Sequence, residues 1–230
     1  MDSLFTFKSS KPFAKDAAYL FSNEVGSFVQ TANEKDYGGS VLSDGCAQAG
    51  WPYFEKYDYL ISYISPWVIH KRLLDIVQIA AINFHPGPPE YPGIGCTNFA
   101  LYDGARSFGI TVHHMLPKVD TGRIIMVKRF PIAESETVWT LSQKCYAYIF
   151  AAFCEMLPLF KSGWDFPRYK DEEVETWTRE PYTRKQLDEL CVITEDMSDE
   201  EVARRVRATT FPNMPGAFIE KGGHKFEISY

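Results

Sequence analysis

The stretch Ile82-Asn83-Phe84-His85-Pro86-Gly87-Pro88-Pro89-Glu90-Tyr91-Pro92-Gly93 decides how this chain folds. Its apolar lead-in, Ile79-Ala80-Ala81-Ile82, predicts a short buried strand. Proline lacks an N–H and fixes φ, so the strand cannot run past His85. A polar pair, Asn83 and His85, therefore stands at a strand end ahead of a stiff loop. In open α/β sheets that is where ligands bind. Downstream, Val119-Asp120-Thr121-Gly122-Arg123 supplies a second, acid-bearing turn.

Working outward, Asp58 to Ser65 is almost continuously apolar, the pattern of a parallel strand covered on both faces. Ser65-Pro66-Trp67 predicts a helix through Leu74, with Ser65 as N-cap and Pro66 at its first position. Cys96 to Tyr102 reads as a helix ended by Asp103-Gly104. Ser107 to Met115 and Arg123 to Phe130 read as strands around the Asp120 turn. Thr137 to Phe160 predicts a long, apolar helix broken at Pro158 and packed on the sheet. Toward the N-terminus, Leu4–Phe7 is a strand, followed by a helix to about Phe21 capped by Ser10, with Pro12 in its first turn. Ser27 to Thr31 is a second strand, and Asn33 to Trp51 is mostly loop. The turn between the first strand and that helix has no GxGxxG or Walker pattern, so it is no dinucleotide cradle. This alternation predicts an α/β fold with a mostly parallel sheet.

After Gly163 the pattern changes. Residues 165–185 are charged and aromatic without periodicity, a linker or surface wrap. Ser198 with Glu201 fits a capping box for a helix that sets Val202, Ala203 and Val206 on one side. Residues 217–220 and 224–228 around Lys221-Gly222-Gly223 predict a hairpin. The expected division is a core over 1–163 and an extension over 164–230.

The 230 residues, 45% hydrophobic and 15% aromatic, describe a globular chain. A formal charge of −6 argues against a nucleic acid partner. No apolar run approaches the ~20 residues of a membrane span, so no membrane partner is expected. Met1–Phe5 has neither a basic start nor a long apolar region, which predicts a cytoplasmic protein without a secretory signal. Five cysteines without CxxC spacing read as reduced thiols.

Asn83 offers an amide donor, His85 a donor and an acceptor near neutral pH, and Asp120 a charge to orient the imidazole or a water. Together they suit addition of a nucleophile to a carbonyl: one group holds the developing oxyanion and the histidine carries protons. No Ser or Cys stands in a nucleophile elbow, so the attacking group belongs to the substrate. Singly these residues are weak evidence, since a histidine at a strand end has many bland roles.

Ile82-Asn83-Phe84-His85-Pro86, Tyr91-Pro92-Gly93, Gly109-Ile110-Thr111-Val112-His113 and Val119-Asp120-Thr121-Gly122 resemble, in order and spacing, the folate-dependent formyltransferases. That family includes glycinamide ribonucleotide, methionyl-tRNA and sugar N-formyltransferases. The resemblance is strong from Asp58 to Phe130 and resumes over Val202–Glu227. It implies a Rossmann-like core, a homodimer, 10-formyltetrahydrofolate as formyl donor without a metal, and an amine as acceptor. Carried over, Asn83 would hold the formyl oxygen, His85 would shuttle protons, and Asp120 would orient His85 or a water. Ile64, Ser65, Trp67, Ile69, Lys118 and Val119 would take the folate. Pro86, Gly87, Tyr91 and Gly93 would meet the acceptor. Gly87-Pro88-Pro89 departs from the serine-bearing loop commoner in the family, which touches acceptor contacts more than chemistry.

The loop from His85 to Gly93 looks most like that of sugar N-formyltransferases acting on nucleotide-linked 4-amino-4,6-dideoxysugars, precursors of O-antigen and related surface glycans such as lipopolysaccharide. The acidic chain lacks the basic domain of the tRNA enzyme, and the glycinamide ribonucleotide enzyme has no need of the 200–228 element. Trp51, Tyr53, Trp67 and Tyr91 are candidates for stacking on a base or sugar, with plain packing as the blander reading. Arg204, Arg205 and Arg207 are candidates for a diphosphate, against a solvated helix face. A metallohydrolase on His85, His113, His114 and Asp120 is a rival, but adjacent strand residues point to opposite faces. An inactive binding module is the other.

Overall fold

Short apolar segments punctuated by turns fold, in a computed structural model, into a six-stranded sheet of order β2-β1-β3-β4-β5-β6 with helices against it. The structure describes residues 1–8, 10–25, 28–33, 55–164, 166 and 175–228. Of the loop expected from Asn33 to Trp51, Asn33 instead ends the strand Phe28–Asn33, and the rest, with the aromatics Trp51 and Tyr53, lies outside the described residues.

β1 (Asp2–Phe7) pairs in parallel with β2 (Phe28–Asn33) on one side and β3 (Tyr57–Tyr63) on the other. β3 continues the parallel pairing to β4 (Val77–His85). β5 (Ser107–His114) and β6 (Ile124–Pro131) complete the sheet antiparallel. The link from Met115 to Arg123 is too short for a parallel crossover, so β5 and β6 form a hairpin. The chain leaves β1 toward β2 on one side and returns to β3 on the other. That reversal opens a crevice beyond the carboxyl ends of β1 and β3, next to the end of β4.

β3 reads as almost continuously apolar because both of its faces are covered: Tyr57, Tyr59, Leu60, Ile61 and Tyr63 are fully buried. The main cover is the long helix Val138–Lys161, called α4 after α1 (Ala14–Glu24), α2 (Lys71–Leu74) and α3 (Cys96–Tyr102). Thr137 and Thr140 start it with a reciprocal cap, Thr140 N–H to Thr137 Oγ1 at 3.2 Å and Thr137 N–H to Thr140 Oγ1 at 2.9 Å. Its buried residues Leu141, Cys145, Ile149, Phe153, Met156 and Phe160 recur at helical spacing. The Phe153 ring lies 5.8 Å from Phe5, 5.6 Å from Tyr63 and 5.6 Å from Phe84, knitting helix to sheet. Removing such a ring costs about 3–5 kcal/mol.

Pro158 does not break α4, which runs on to Lys161. The final turn is pinned by Phe160, whose ring sits 5.4 Å from Phe21, 5.3 Å from Tyr59 and 4.7 Å from Phe166. The helix expected from Ser65 is also corrected: only Lys71–Leu74 is helical, with His70 Nδ1 accepting from Arg72 N–H at 3.3 Å. Trp67 and Ile69 are buried while Val68 and His70 are exposed, an alternation that an extended chain satisfies and a helix cannot. Both pack with Leu4, Tyr57, Leu60 and Leu73. Ser10 does not cap α1; the helix starts at Ala14 after Phe13, left-handed at φ 61° and stacked on Phe150 at 5.0 Å.

In the C-terminal part, α5 (Arg184–Leu190) leads to β7 (Val192–Ile193), then α6 (Asp199–Thr209) and the hairpin β8 (Phe218–Lys221) and β9 (His224–Glu227). β7, β8 and β9 form a small second sheet. Ser198 accepts from Glu201 N–H at 3.3 Å, but the Glu201 carboxylate turns to Arg204, Arg205 and Tyr102, so only half of the capping box forms. Ala203 is exposed; Val206, Ala208 and Thr209 are the buried face. Helix α6 is tied to α3 by Asn98 Nδ2 donating to the Ala208 carbonyl at 2.8 Å.

Candidate active site

Alternation along β4 sends Asn83 and His85 to one side and buries Phe84 in the core on the other. Across the strand pair, His113 of β5 is in register with Asn83. The β5–β6 turn then delivers Asp120 in a left-handed conformation, φ 47°. That turn approaches β5 so closely that a Cβ on Gly122 would collide with the His114 carbonyl oxygen, so glycine is required there. Thr121 Oγ1 closes the turn on the Lys118 carbonyl at 2.9 Å.

Asp120 is the hub. Its Oδ2 lies 3.2 Å from His85 Nδ1 and accepts from Gly93 N–H at 2.8 Å. Its Oδ1 lies 3.2 Å from His113 Nε2 and accepts from Asn83 Nδ2 at 3.3 Å. His85, His113 and Asp120 are all buried. Burial alone would raise the Asp120 pKa, but the two imidazoles and the Gly93 N–H outweigh it and bring the carboxyl down to about 2. Above that pH it is a carboxylate.

The two histidines differ. His113 Nδ1 faces the His114 carbonyl at 2.8 Å and donates there, while Nε2 lies 3.1 Å from the Asn83 amide nitrogen and 3.2 Å from Asp120 Oδ1. His85 has acceptors at both ends, Asp120 at Nδ1 and the Tyr91 carbonyl 3.1 Å from Nε2. Those acceptors favour imidazolium and burial opposes it; burial is the larger effect, so the His85 pKa lies below its ordinary value. A neutral imidazole hydrogen-bonded to a buried carboxylate is a general base ready to accept a proton. Gly87 makes room for it: a Cβ there would stand 2.7 Å from His85 Nε2 and 2.8 Å from Cys96 Cβ. The Cys96 thiol, donating to the Pro86 carbonyl at 3.1 Å, is pushed by burial up to about 12 and stays protonated.

Pro86 and Cys96 also form one wall of a cavity of about 1030 Å³. Lys8, Lys11, Arg184 and Lys225 are cations on its other walls, with Asp188 and Glu227 as carboxylates. Lys11 Nζ donates to Tyr146 OH at 2.6 Å, and burial, with Lys8 nearby, lowers its pKa.

The other candidates fall in different places. Ile64 is held left-handed at φ 50°, an uncommon conformation for a β-branched residue, directly after β3. Ser65 Oγ accepts from Trp67 N–H at 3.3 Å, and the Trp67 and Ile69 side chains point into the packed cluster described above. Lys118 and Val119 are exposed, Lys118 paired with Glu180. The Tyr91 ring turns inward, 5.8 Å from Phe108, and only its carbonyl reaches His85. Arg204 and Arg205 hold Glu201, and Arg205 also reaches the carbonyls ending α5; Arg207 binds the carbonyls of Glu134 and Glu136. None of the three lines the cavity; Arg204 is solvent-exposed and Arg205 and Arg207 are half-buried. His114 points away from His113, to the Phe166 carbonyl at 2.8 Å.

Two participants were not assigned from sequence in this role. His113 shows itself only once β4 and β5 are paired in register. Trp177 lies in the stretch without periodicity: its ring is 5.0 Å from His113 and 5.8 Å from His85, and its Nε1 donates to the Gly122 carbonyl at 2.7 Å.

Residues 57–156 match a family model described as formyl transferase. Among solved structures, a sugar N-formyltransferase from a Shewanella species superposes with a TM-score of 0.77 at 17% identity, covering 100% of this chain and 97% of that one. A 4-N formyltransferase from Francisella tularensis gives 0.71 at 18% identity, covering 99% and 96%. An N-formyltransferase from Helicobacter canadensis, solved with folinic acid and dTDP-3-aminofucose, gives 0.70 at 15% identity, covering 97% and 85%. Residues 57–156 thus match the formyl transferase model, and the chain as a whole shares the fold of the sugar N-formyltransferase structures.

Proposed function

We propose that the protein transfers a formyl group from 10-formyltetrahydrofolate to the amine of a nucleotide-linked 4-amino-4,6-dideoxysugar. The observation that carries this reading is the Asn83–His85–Asp120 cluster, its histidine and aspartate buried, beside a cavity with four cations on its walls. The amine lone pair forms the new C–N bond at the formyl carbon. Asn83 donates to the carbonyl oxygen as it takes charge. Neutral His85 accepts the ammonium proton and returns a proton to the departing folate nitrogen, while Asp120 holds the ring. The donor set fits the folate co-substrate's formyl group: one amide donor, one base and one fixed carboxylate. Ile64 and Ser65 at the end of β3, with Lys118 and Val119, would contact the pterin; Pro86, Gly87 and Gly93 would contact the acceptor.

Lys8, Lys11, Arg184 and Lys225 suit a phosphate-bearing acceptor. The likeness to sugar N-formyltransferase structures supports this reading over the glycinamide ribonucleotide and methionyl-tRNA alternatives. Residues 1–163 serve as catalytic core and 164–230 as an extension that finishes the site, in a cytoplasmic homodimer supplying surface-glycan precursors. Among the described residues no helix is long and apolar enough to cross a membrane.

The test is product mass after incubation with 10-formyltetrahydrofolate and a panel of dTDP- and GDP-linked 3- and 4-amino-dideoxysugars, glycinamide ribonucleotide included. One added formyl on a 4-amino sugar is the expected result. Formylation of glycinamide ribonucleotide alone would replace this reading. Lys8→Met with Lys11→Met should raise the acceptor KM about tenfold and flatten its salt dependence, leaving the folate KM unchanged.

A further inference from the structure

Residues 175–183 lie across the loops that carry the cluster. Thr178 N–H donates to the Pro89 carbonyl at 3.2 Å, Tyr182 N–H to the Pro92 carbonyl at 2.9 Å, and Ile94 N–H to the Tyr182 carbonyl at 3.0 Å. The Tyr182 ring stacks on Phe99 at 3.7 Å and 7°. Glu175 pairs with Arg129, which also holds Glu90 at 2.8 Å. The strap is thus anchored at both ends without Trp177, which leaves the indole free for another purpose.

We propose that Trp177 is a positioning residue of the transfer site: its indole encloses His85 and His113 and ties down the turn that presents Asp120. The ring stands near-perpendicular to both imidazoles, at 73° and 89°, with centroids 5.8 Å and 5.0 Å away. Its N–H reaches the carbonyl of Gly122, a residue already pressed against His114 on its other side. The turn is gripped between β5 and the indole, two residues from Asp120. For catalysis the inference rests on the proposed formyl transfer; for the histidines it does not.

Enclosure matters because burial holds His85 neutral. The charged and polar groups acting on its ring are Asp120 from the β5–β6 turn, His113 from β5 and the Tyr91 carbonyl from the following loop. Replacing Trp177 changes the chemistry of none of them. Opening the ring to water therefore favours imidazolium and moves the His85 midpoint up, toward an ordinary value near 6.5. If the indole instead held imidazolium by a cation–π contact, its loss would move the midpoint down.

The experiment is an NMR pH titration of the His85 and His113 ring signals in the full chain, for wild type, Trp177→Ala and Trp177→Phe. Trp177→Ala should raise the His85 midpoint, and Trp177→Phe, which keeps a ring, should stay close to wild type. An unchanged or lowered midpoint in Trp177→Ala would overturn the inference, as would equal shifts in both variants. If Trp177→Ala does not fold, Trp177→Leu carries the same expectation. In turnover, kcat of Trp177→Ala should fall at least about tenfold at unchanged acceptor KM, with its acid limb moved up as the NMR midpoint is. A wild-type chain that makes no formylated product would sink the proposed reaction, while the midpoints would still decide what Trp177 does.

Discussion

Asp120→Asn isolates the hub of the cluster. Gly93 N–H and His85 Nδ1 share Oδ2, at 2.8 Å and 3.2 Å, so an amide oxygen in that place keeps both and sets its NH₂ where Oδ1 stands, toward the Asn83 Nδ2 donor. His85 keeps its tautomer and its hydrogen bond, but the negative charge that stabilises its imidazolium form is gone. A unit charge 3.2 Å away is worth about 5 kcal/mol at an effective dielectric of ~20. A loss of 10³–10⁴, about 4–5 kcal/mol in the barrier, is expected here with little change in either KM. Single-turnover mass spectrometry of the formylated product measures it. Activity within tenfold of wild type would refute the electrostatic role of the carboxylate.

The same variant has a stability signature. Asp120 titrates at about 2 in the folded protein, below its ordinary 3.8. At ~1.4 kcal/mol per pH unit the difference is worth about 2 kcal/mol. Because the folded value is the lower one, this stabilisation is complete above pH ~4 and disappears as the pH falls through 2. Urea unfolding between pH 5 and pH 2 should show wild type losing about 2 kcal/mol more than Asp120→Asn. Parallel curves would mean that the carboxylate is not held by the imidazoles as the geometry indicates.

Two further changes probe the same loop and strand. Asn83→Ala removes the proposed oxyanion donor and should lower kcat by roughly 10²–10³ while folate binding, measured by calorimetry, persists; an unaltered kcat would assign the oxyanion to another donor. Gly87→Ala places a methyl 2.7 Å from His85 Nε2, 2.8 Å from Cys96 Cβ and 2.8 Å from the Tyr91 carbonyl. It should cost about 1–3 kcal/mol in thermal unfolding and displace His85, with a larger fall in kcat than Gly104→Ala, where nothing lies within 4 Å.

Much of the site is legible because local chemistry dictates it. The prolines after His85 stop β4 whatever surrounds it, alternation sets Asn83 beside His85, and α3 spans Cys96–Tyr102 as its sequence predicts. Local rules fail where distant packing decides. Trp67 and Ile69 give up a helix to fill a pocket made by Leu4, Tyr57 and Leu60, and Phe160 keeps the turn that Pro158 should end. Ser10 meets every local requirement of a cap, yet the stacking of Phe13 on Phe150 moves the helix start to Ala14. The pairing of His113 with Asp120 needs two strands in register, and no period marks 175–183, because that segment is placed by hydrogen bonds to far-off loop carbonyls.

The strap also imposes an order in time. Thr178 lies 89 residues after its partner Pro89. At roughly 5–20 residues per second, a ribosome needs about 4–18 s to cover that distance. Throughout that interval the strand end that bears His85 exists without Trp177 above it. The growing chain can form β1 to β6 while its histidines remain open to water, and the site becomes enclosed only as synthesis nears residue 183. Competence is thus acquired late and in one step, so fragments stalled earlier in translation hold the reactive side chains but not their enclosure.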